Sequence, residues 1–304
     1  MITGMRKRSG TIIAVIAGLL ALGMIIPMLL TGNNPGGAAA GITVAKVGRE
    51  RITALDLNRE FTRQYYETGA YMSMLPDEYA GLRSKALDSL IEETYILDAA
   101  KKANYTADQA AVNVEYEAER VSAGSDSDWL SALVNWGYSA KTYKQDIAKR
   151  QVVAAYPAIA HPYEVTDEEI QAEFDKVASF NTSLTLESAR QTLETSLRNR
   201  KDLEARTAVL DEAKASVTPI ILDAGILAYR AYESKDYAEA VKQYKRAVKD
   251  SPDDPYMYLA LTKAHTANGD DKNAKSALLK ADKLAGDDTY YLITKGEALS
   301  EGGK

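Results

Sequence analysis

Apolar positions change their pattern along the chain, and each pattern predicts a different kind of element. From Ile12 to Leu30 they are nearly continuous: 19 residues without a charge, preceded by Arg6, Lys7 and Arg8. As a helix this stretch spans about 28 Å, close to the ~30 Å hydrocarbon core of a bilayer. The basic residues ahead of it predict a cytoplasmic N-terminus, with everything after Thr31 on the far side. A cleaved signal peptide processed within Gly36–Gly41 is the competing reading. Signal cores run to about 7–15 apolar residues, so the length favours a retained anchor. Segment 1–31 therefore reads as a basic tip and transmembrane helix that meets the lipid bilayer through residues 12–30. Residues 32–41, "GNNPGGAAAG", read as a flexible linker.

After the linker the pattern becomes periodic. Ile42, Val44 and Val47 predict a short strand, and Gly48 turns it. Thr53 caps a helix with Asp56 at its third position, and Leu57, Phe61 and Tyr65 share one face. "LRSKALDSLIEETYILDAAKKANYT" predicts a long helix whose core face is Leu87, Leu90, Ile91, Thr94 and Leu97. Further helices are expected from Ala107 to Val121, Trp129 to Trp136 and Ala140 to Tyr156. His161–Tyr163 reads as a connector. Thr166 and Glu169 then form a capping box ahead of an apolar stripe of Ile170, Phe174 and Val177. One long charged helix, "LESARQTLETSLRNRKDLEARTAVLDEAKA", follows. The apolar run "SVTPIILDA" contains Pro219, which suits an edge strand.

From Ala224 a third pattern appears, with a period of 34 residues: Ala240 and Ala274, Ala247 and Ala281, Asp236 and Asp270. That period, with small alanines where paired helices approach and Pro252 closing the first copy, is the tetratricopeptide pattern. Gly286 stands where the second copy would have its proline, and "YYLITKGEALSEGG" reads as a capping helix. Two repeats are fewer than the three usually needed for stability, so residues 224–304 are expected to lean on the preceding domain or on a partner.

Composition narrows the chemistry. The net charge is −6, and the basic tip leaves −9 on everything after residue 41, which excludes a nucleic-acid surface built on clustered Lys and Arg. There are no cysteines and two histidines, so thiolate chemistry is excluded and a His-based metal or proton-relay site is not expected. The carboxylate pairs Glu168/Glu169, Asp253/Asp254 and Asp287/Asp288 fall at helix starts or repeat turns, where they complement helix dipoles. Neither a Gly-rich phosphate loop nor a Gly-x-Ser-x-Gly elbow occurs. No catalytic residue, cofactor or metal is therefore expected. The 19 Tyr against three Phe are more informative. Tyr offers apolar area with a wet edge, and Met adapts to varied surfaces. Tyr65, Tyr66, Tyr71, Met72, Met74 and Tyr79 form a candidate client-contacting rim; the bland alternative places half of them in the core.

The segment from Ile42 to Leu222 resembles the N-terminal chaperone domain of the SurA, PpiD and PrsA group of extracytoplasmic foldases. The matching stretches are "VAKVGRERITALDL", "LRSKALDSLIEETYILDAAKKANYT", "GYSAKTYKQDIAKRQVV" and "VTDEEIQAEFDKV". The membrane anchor makes PpiD the nearest member. In that group the last of these helices leads into a parvulin prolyl isomerase. Here Ala178 to Leu222 is 45 residues, counting both, too few for that insert once the long helix and closing strand are placed. The tail is similar to the repeats of YfgM. The resemblance implies a mostly α protein: a transmembrane helix, a SurA-like helical chaperone domain with short strands over 42–222, and tetratricopeptide hairpins over 223–304. It implies a non-catalytic holdase in the bacterial inner membrane, with a single pass and an extracytoplasmic body. Its partners would be unfolded client polypeptides and Sec translocon subunits. The alternative is a scaffold whose repeats recruit a cell-envelope complex. By the same resemblance the repeat groove would be lined by Tyr229, Tyr232, Tyr256, Leu259 and Lys263, either for a partner or packed on the chain's own chaperone domain.

Overall fold

The computed structural model describes residues 41–67, 75–180 and 184–301. The expected span at residues 12–30 lies outside them. Among the described residues no helix is long and apolar enough to cross a membrane. The described chain is mostly helical, with twelve helices and three short strands. It divides into two compact units. Of the described residues, one comprises those from 41 to 91, Val134–Gly137 and those from 219 to 301; the other comprises those within Glu92–Leu133 and Tyr138–Thr218. These units cut the chain differently from the expected segments 42–222 and 223–304.

In the first unit, β1 (Thr43–Val47) and β2 (Glu50–Thr53) form a hairpin whose two-residue turn needs Gly48 at φ +59°. Ala45 pairs with Ile52 on one side and with Ile221 of β3 (Ile220–Ile221) on the other, giving the antiparallel order β2-β1-β3. β3 is thus an edge, as Pro219 suggested. Helix α1 (Ala54–Glu67) starts at once after β2. The Asp56 N–H donates to Thr53 Oγ1 at 3.2 Å, and the Thr53 N–H donates to Asp56 Oδ2 at 2.9 Å. Leu57 and Phe61 are buried. Helix α2 (Pro76–Lys102) begins a turn and a half before the expected stretch, and it carries the chain from one unit into the other. Its buried apolar positions are Leu82, Ala86, Leu87, Ile91, Tyr95, Ile96 and Ala100. Leu90, Thr94 and Leu97 are only half-buried, because the covered face winds around a helix that serves two cores.

The repeats complete the first unit. Helices α8 (Ala224–Glu233) and α9 (Tyr237–Asp250) are followed by α10 (Pro255–Ala267), α11 (Asp271–Ala285) and α12 (Thr289–Glu301). The alanines that set the 34-residue period, Ala240, Ala247, Ala274 and Ala281, are all buried. Asp236 and Asp270 cap α9 and α11 by accepting from the N–H of Glu239 and Asn273, at 3.1 and 3.2 Å.

The second unit holds the remaining helices: α3 (Gln109–Ser122), α4 (Asp126–Asn135, its last two residues excepted), α5 (Ala140–Ala160), α6 (Asp167–Ala178) and α7 (Leu186–Ser216). Helix α5 continues through the buried Pro157, which forfeits one helical hydrogen bond while packing holds the helix on course. The capping box at Thr166 forms: Thr166 Oγ1 accepts from the Glu169 N–H, and Glu169 Oε2 accepts from the Thr166 N–H at 3.0 Å. Of the stripe beyond it, Ile170 is buried, Phe174 half-buried and Val177 exposed. The core centres on Trp129, whose Nε1 donates to Tyr116 Oη at 3.0 Å, with the Tyr143 ring 5.4 Å away. Burial and a hydrogen bond to Glu119 push the Tyr143 hydroxyl well above the usual tyrosine range.

Candidate functional site

Of the expected rim, Tyr65, Tyr66 and Tyr79 are described, whereas Tyr71, Met72 and Met74 lie outside the described residues. The buried ring of Phe61 is their hub. Tyr79 lies 4.4 Å from it and Tyr65 6.1 Å, while Tyr66 meets Tyr65 edge-on at 5.9 Å. All three tyrosines are half-buried. Burial raises the Tyr79 hydroxyl pKa, with Arg83 opposing and Asp254 adding to the shift. Each ring thus divides its surface between the core of the first unit and its exterior.

The residues expected in the repeat groove do not form one open surface. Tyr229 on α8 lies against the second turn of α2, so close that a Cβ on Gly81 would fall 2.8 Å from Tyr229 Oη. Next to it, Arg230 Nε donates to Ser84 Oγ at 2.8 Å, and Arg230 Nη2 reaches Asp88 Oδ1 at 2.7 Å. Arg83 of α2 returns an ion pair to Asp223 at 3.2 Å. Lys263 on α10 pairs with Asp77 in the first turn of α2, with its ammonium 5.7 Å from the centre of the Tyr232 ring. Tyr256 faces the other way. Its hydroxyl donates to Asp288 Oδ2 at 3.0 Å, and its ring packs on Tyr290 and Tyr291. Leu259 is buried with Ala281, Tyr291 and Ala298, and so presents no surface to a ligand in this arrangement. Of the expected groove residues, Tyr229 and Lys263 meet the chain's own α2, whereas Tyr256 and Leu259 pack toward α11 and α12.

One surface went unnoticed in the sequence. On α3, Val112 and Tyr116 face the core of the second unit, yet Ala111, Val114, Ala118 and Val121 are all exposed. Their spacing of i, i+3, i+7, i+10 lays them along one line on the outer side of the helix. Val114 and Val121 are 71% and 72% exposed. A helix apolar on two faces is the signal that could have found it. Glu115, Glu117 and Glu119 border the stripe, with Arg120 paired to Glu117 at 2.7 Å.

Compared with family models, residues 1–157 match the SurA-like N-terminal domain. The chain belongs to that family. Residues 228–269 match the TPR repeat, in agreement with the 34-residue period of α8 to α11. No curated protein and no solved structure matches the chain. A SurA-like N-terminal domain joined to TPR repeats is an organisation for chaperoning or scaffolding, and no catalytic domain is among the matches. Among the described residues no group of three or more His, Asp or Glu side chains could hold a metal ion. Within this SurA-like chain, then, the surfaces to consider are the aromatic rim and the α3 stripe.

Proposed function

We propose that this protein is a membrane-anchored, extracytoplasmic holdase that shields unfolded secretory and membrane proteins as they leave the Sec translocon, without ATP and without catalysis. The observation that carries the reading is the exposed α3 stripe on a SurA-like domain. A valine moved from near-full exposure into an apolar contact gains roughly 1–2 kcal/mol at 25 cal/mol per Å². Two valines and two alanines therefore hold an extended apolar segment weakly enough for it to leave and fold. The half-buried Tyr65 and Tyr66 at the end of α1 and Tyr79 at the start of α2 supply a second contact of the same adaptable kind. The anchor at residues 12–30 would keep the body beside emerging chains.

The scaffold reading needs an open repeat groove, and the contacts of Tyr229, Arg230 and Lys263 with α2 weigh against it. The test is suppression of aggregation. Full-length protein in mild detergent is mixed with an unfolded, aggregation-prone enzyme, and light scattering is followed. Wild type should suppress aggregation, and Val114→Asp/Val121→Asp should lose most of that effect with an unchanged melting curve. Full suppression by the variant, or none by wild type, would sink the proposal. Cross-linking in native membranes then tests the location: translocon subunits recovered with diverse precursors support it, and one defined envelope complex without precursors supports the scaffold.

A further inference from the structure

The three-stranded sheet of the first unit turns one cross-strand row inward and the next outward. The inward row is Ile52, Ala45 and Ile221, in which Ala45 and Ile52 are buried. The outward row is Arg51, Lys46 and Ile220. Here Arg51 is exposed, Lys46 half-buried and Ile220 58% exposed. Leu222, whose N–H donates to Val44 O at 2.8 Å, shares that face two residues on and is 38% exposed. Arg49 stands exposed in the hairpin turn.

This face is unfavourable in water alone. Lys46 and Arg51 sit directly opposite each other, and like charges so placed repel. Among the described residues neither they nor Arg49 enters an ion pair or a side-chain hydrogen bond, although the chain after residue 41 carries −9. Lysine often guards an open sheet edge, but Lys46 is on the central strand and guards none. Beside these cations Ile220 and Leu222 leave branched apolar surface exposed. Cations interleaved with exposed aliphatics suit the headgroup layer of an anionic bilayer, which offers a counter-charge to the first and an apolar boundary to the second.

We infer that this outward face, Lys46, Arg49 and Arg51 with Ile220 and Leu222, docks on the anionic lipid headgroups of the bilayer that anchors the chain. The inference rests on the anchor proposed above at residues 12–30. Ten residues, 32–41, join that span to the sheet. Ten residues reach at most about 33–36 Å, and a Gly-rich chain of that length averages about 16–19 Å end to end. Strand β1 is the first described strand after the span, so the tether holds the sheet within reach of the headgroups. An anionic surface repels the acidic body, and the cationic face then decides which side of the first unit turns toward the lipid.

The chain contains no cysteine, so one introduced thiol carries the only label. Full-length protein is reconstituted into phosphatidylcholine vesicles with or without about 30% phosphatidylglycerol, and a fluorophore on Ile220→Cys is quenched by nitroxide-bearing headgroups. Leu279→Cys, 70% exposed on α11, is the reference. Quenching of Ile220→Cys should be at least threefold stronger with phosphatidylglycerol than without, while Leu279→Cys stays unchanged. It should fall to the reference level in about 0.5 M NaCl, where screening acts within about 4 Å, and in Lys46→Gln/Arg49→Gln/Arg51→Gln. That triple variant should melt no lower than wild type in detergent, because it removes the repulsion between Lys46 and Arg51. An alkaline wash of the vesicles reports the anchor separately. Protein released by the wash refutes the anchor and the docking together. Protein retained, with Ile220→Cys quenching that ignores phosphatidylglycerol or survives the triple variant, overturns the docking alone. A triple variant less stable than wild type overturns it too, since the cations would then have partners within the fold.

Discussion

Gly81 offers the most direct test of whether the repeats rest on α2. It lies inside a long helix, where replacing glycine with alanine ordinarily gains about 1 kcal/mol. Here the new Cβ would meet Tyr229 Oη at 2.8 Å, a separation that forces one side to move. Tyr229 is half-buried and flanked by the Arg230 hydrogen bonds, so its yielding costs about 1–3 kcal/mol, typical of overpacking. The expected sum for Gly81→Ala is a net loss of about 0–2 kcal/mol. In a Tyr229→Phe background the nearest atom becomes Cζ at 3.5 Å, an ordinary contact. There the same substitution should stabilise by about 0.5–1 kcal/mol. Urea unfolding of the full chain would be read from Trp136, with Trp129 replaced by Phe so that the signal comes from the first unit. The double-mutant cycle should give a coupling of about 0.5–3 kcal/mol. A coupling within the additivity error of roughly 0.3–0.5 kcal/mol would refute the packing of α8 on α2, and with it the occupied groove.

Other expectations follow from single contacts. Arg230→Met should cost about 1.5–3 kcal/mol in thermal or urea melts, because it strands the buried Ser84, whereas Asp88→Ala at the exposed end of the same contact should cost less than about 1 kcal/mol. Thr166→Ala, which removes the capping box of α6, should cost about 0.5–2 kcal/mol, with faster hydrogen exchange confined to the first turn of that helix. His265 sets a pH dependence. Burial, then the charge of Lys245, lowers its pKa, and Asp270, 3.1 Å from Nδ1, opposes them. The unfolded imidazole takes a proton near pH 6.5 and the folded one only below that, so stability should fall as pH drops from about 6.5 to the lower folded value. Equilibrium unfolding between pH 7.5 and 5 should show this slope in wild type and lose it in His265→Gln.

The local features were legible in the sequence. Caps at Thr53 and Thr166, the 34-residue period of Ala and Asp positions and the edge strand marked by Pro219 all depend on residues a few positions apart, or on a repeat that announces itself. The rest depends on partners distant in sequence. Nothing near Tyr229 or Lys263 tells that their face meets Gly81 and Asp77. That knowledge lies in packing between elements about 150 to 190 residues away. The α3 stripe was hidden because the same helix also carries the buried Val112 and Tyr116, and a search for one apolar face stops once it has found one. Helix α5 outran its expected end because burial of Pro157 outweighs the hydrogen bond it forfeits.

Strand β1 takes one neighbour from the adjacent hairpin and the other from Ile220–Ile221, far down the chain. During synthesis the residues of the second unit emerge almost as one run, and they are free to fold as they appear. The first unit must wait. From the appearance of Ile91 until Ile221, 130 residues are made, about 6–26 s at 5–20 residues per second. Throughout that interval β1 has a bare edge, and the α2 surface that will receive Tyr229 and Arg230 is open to water. A protein proposed to shelter unfinished chains thus passes through an exposed stage of its own.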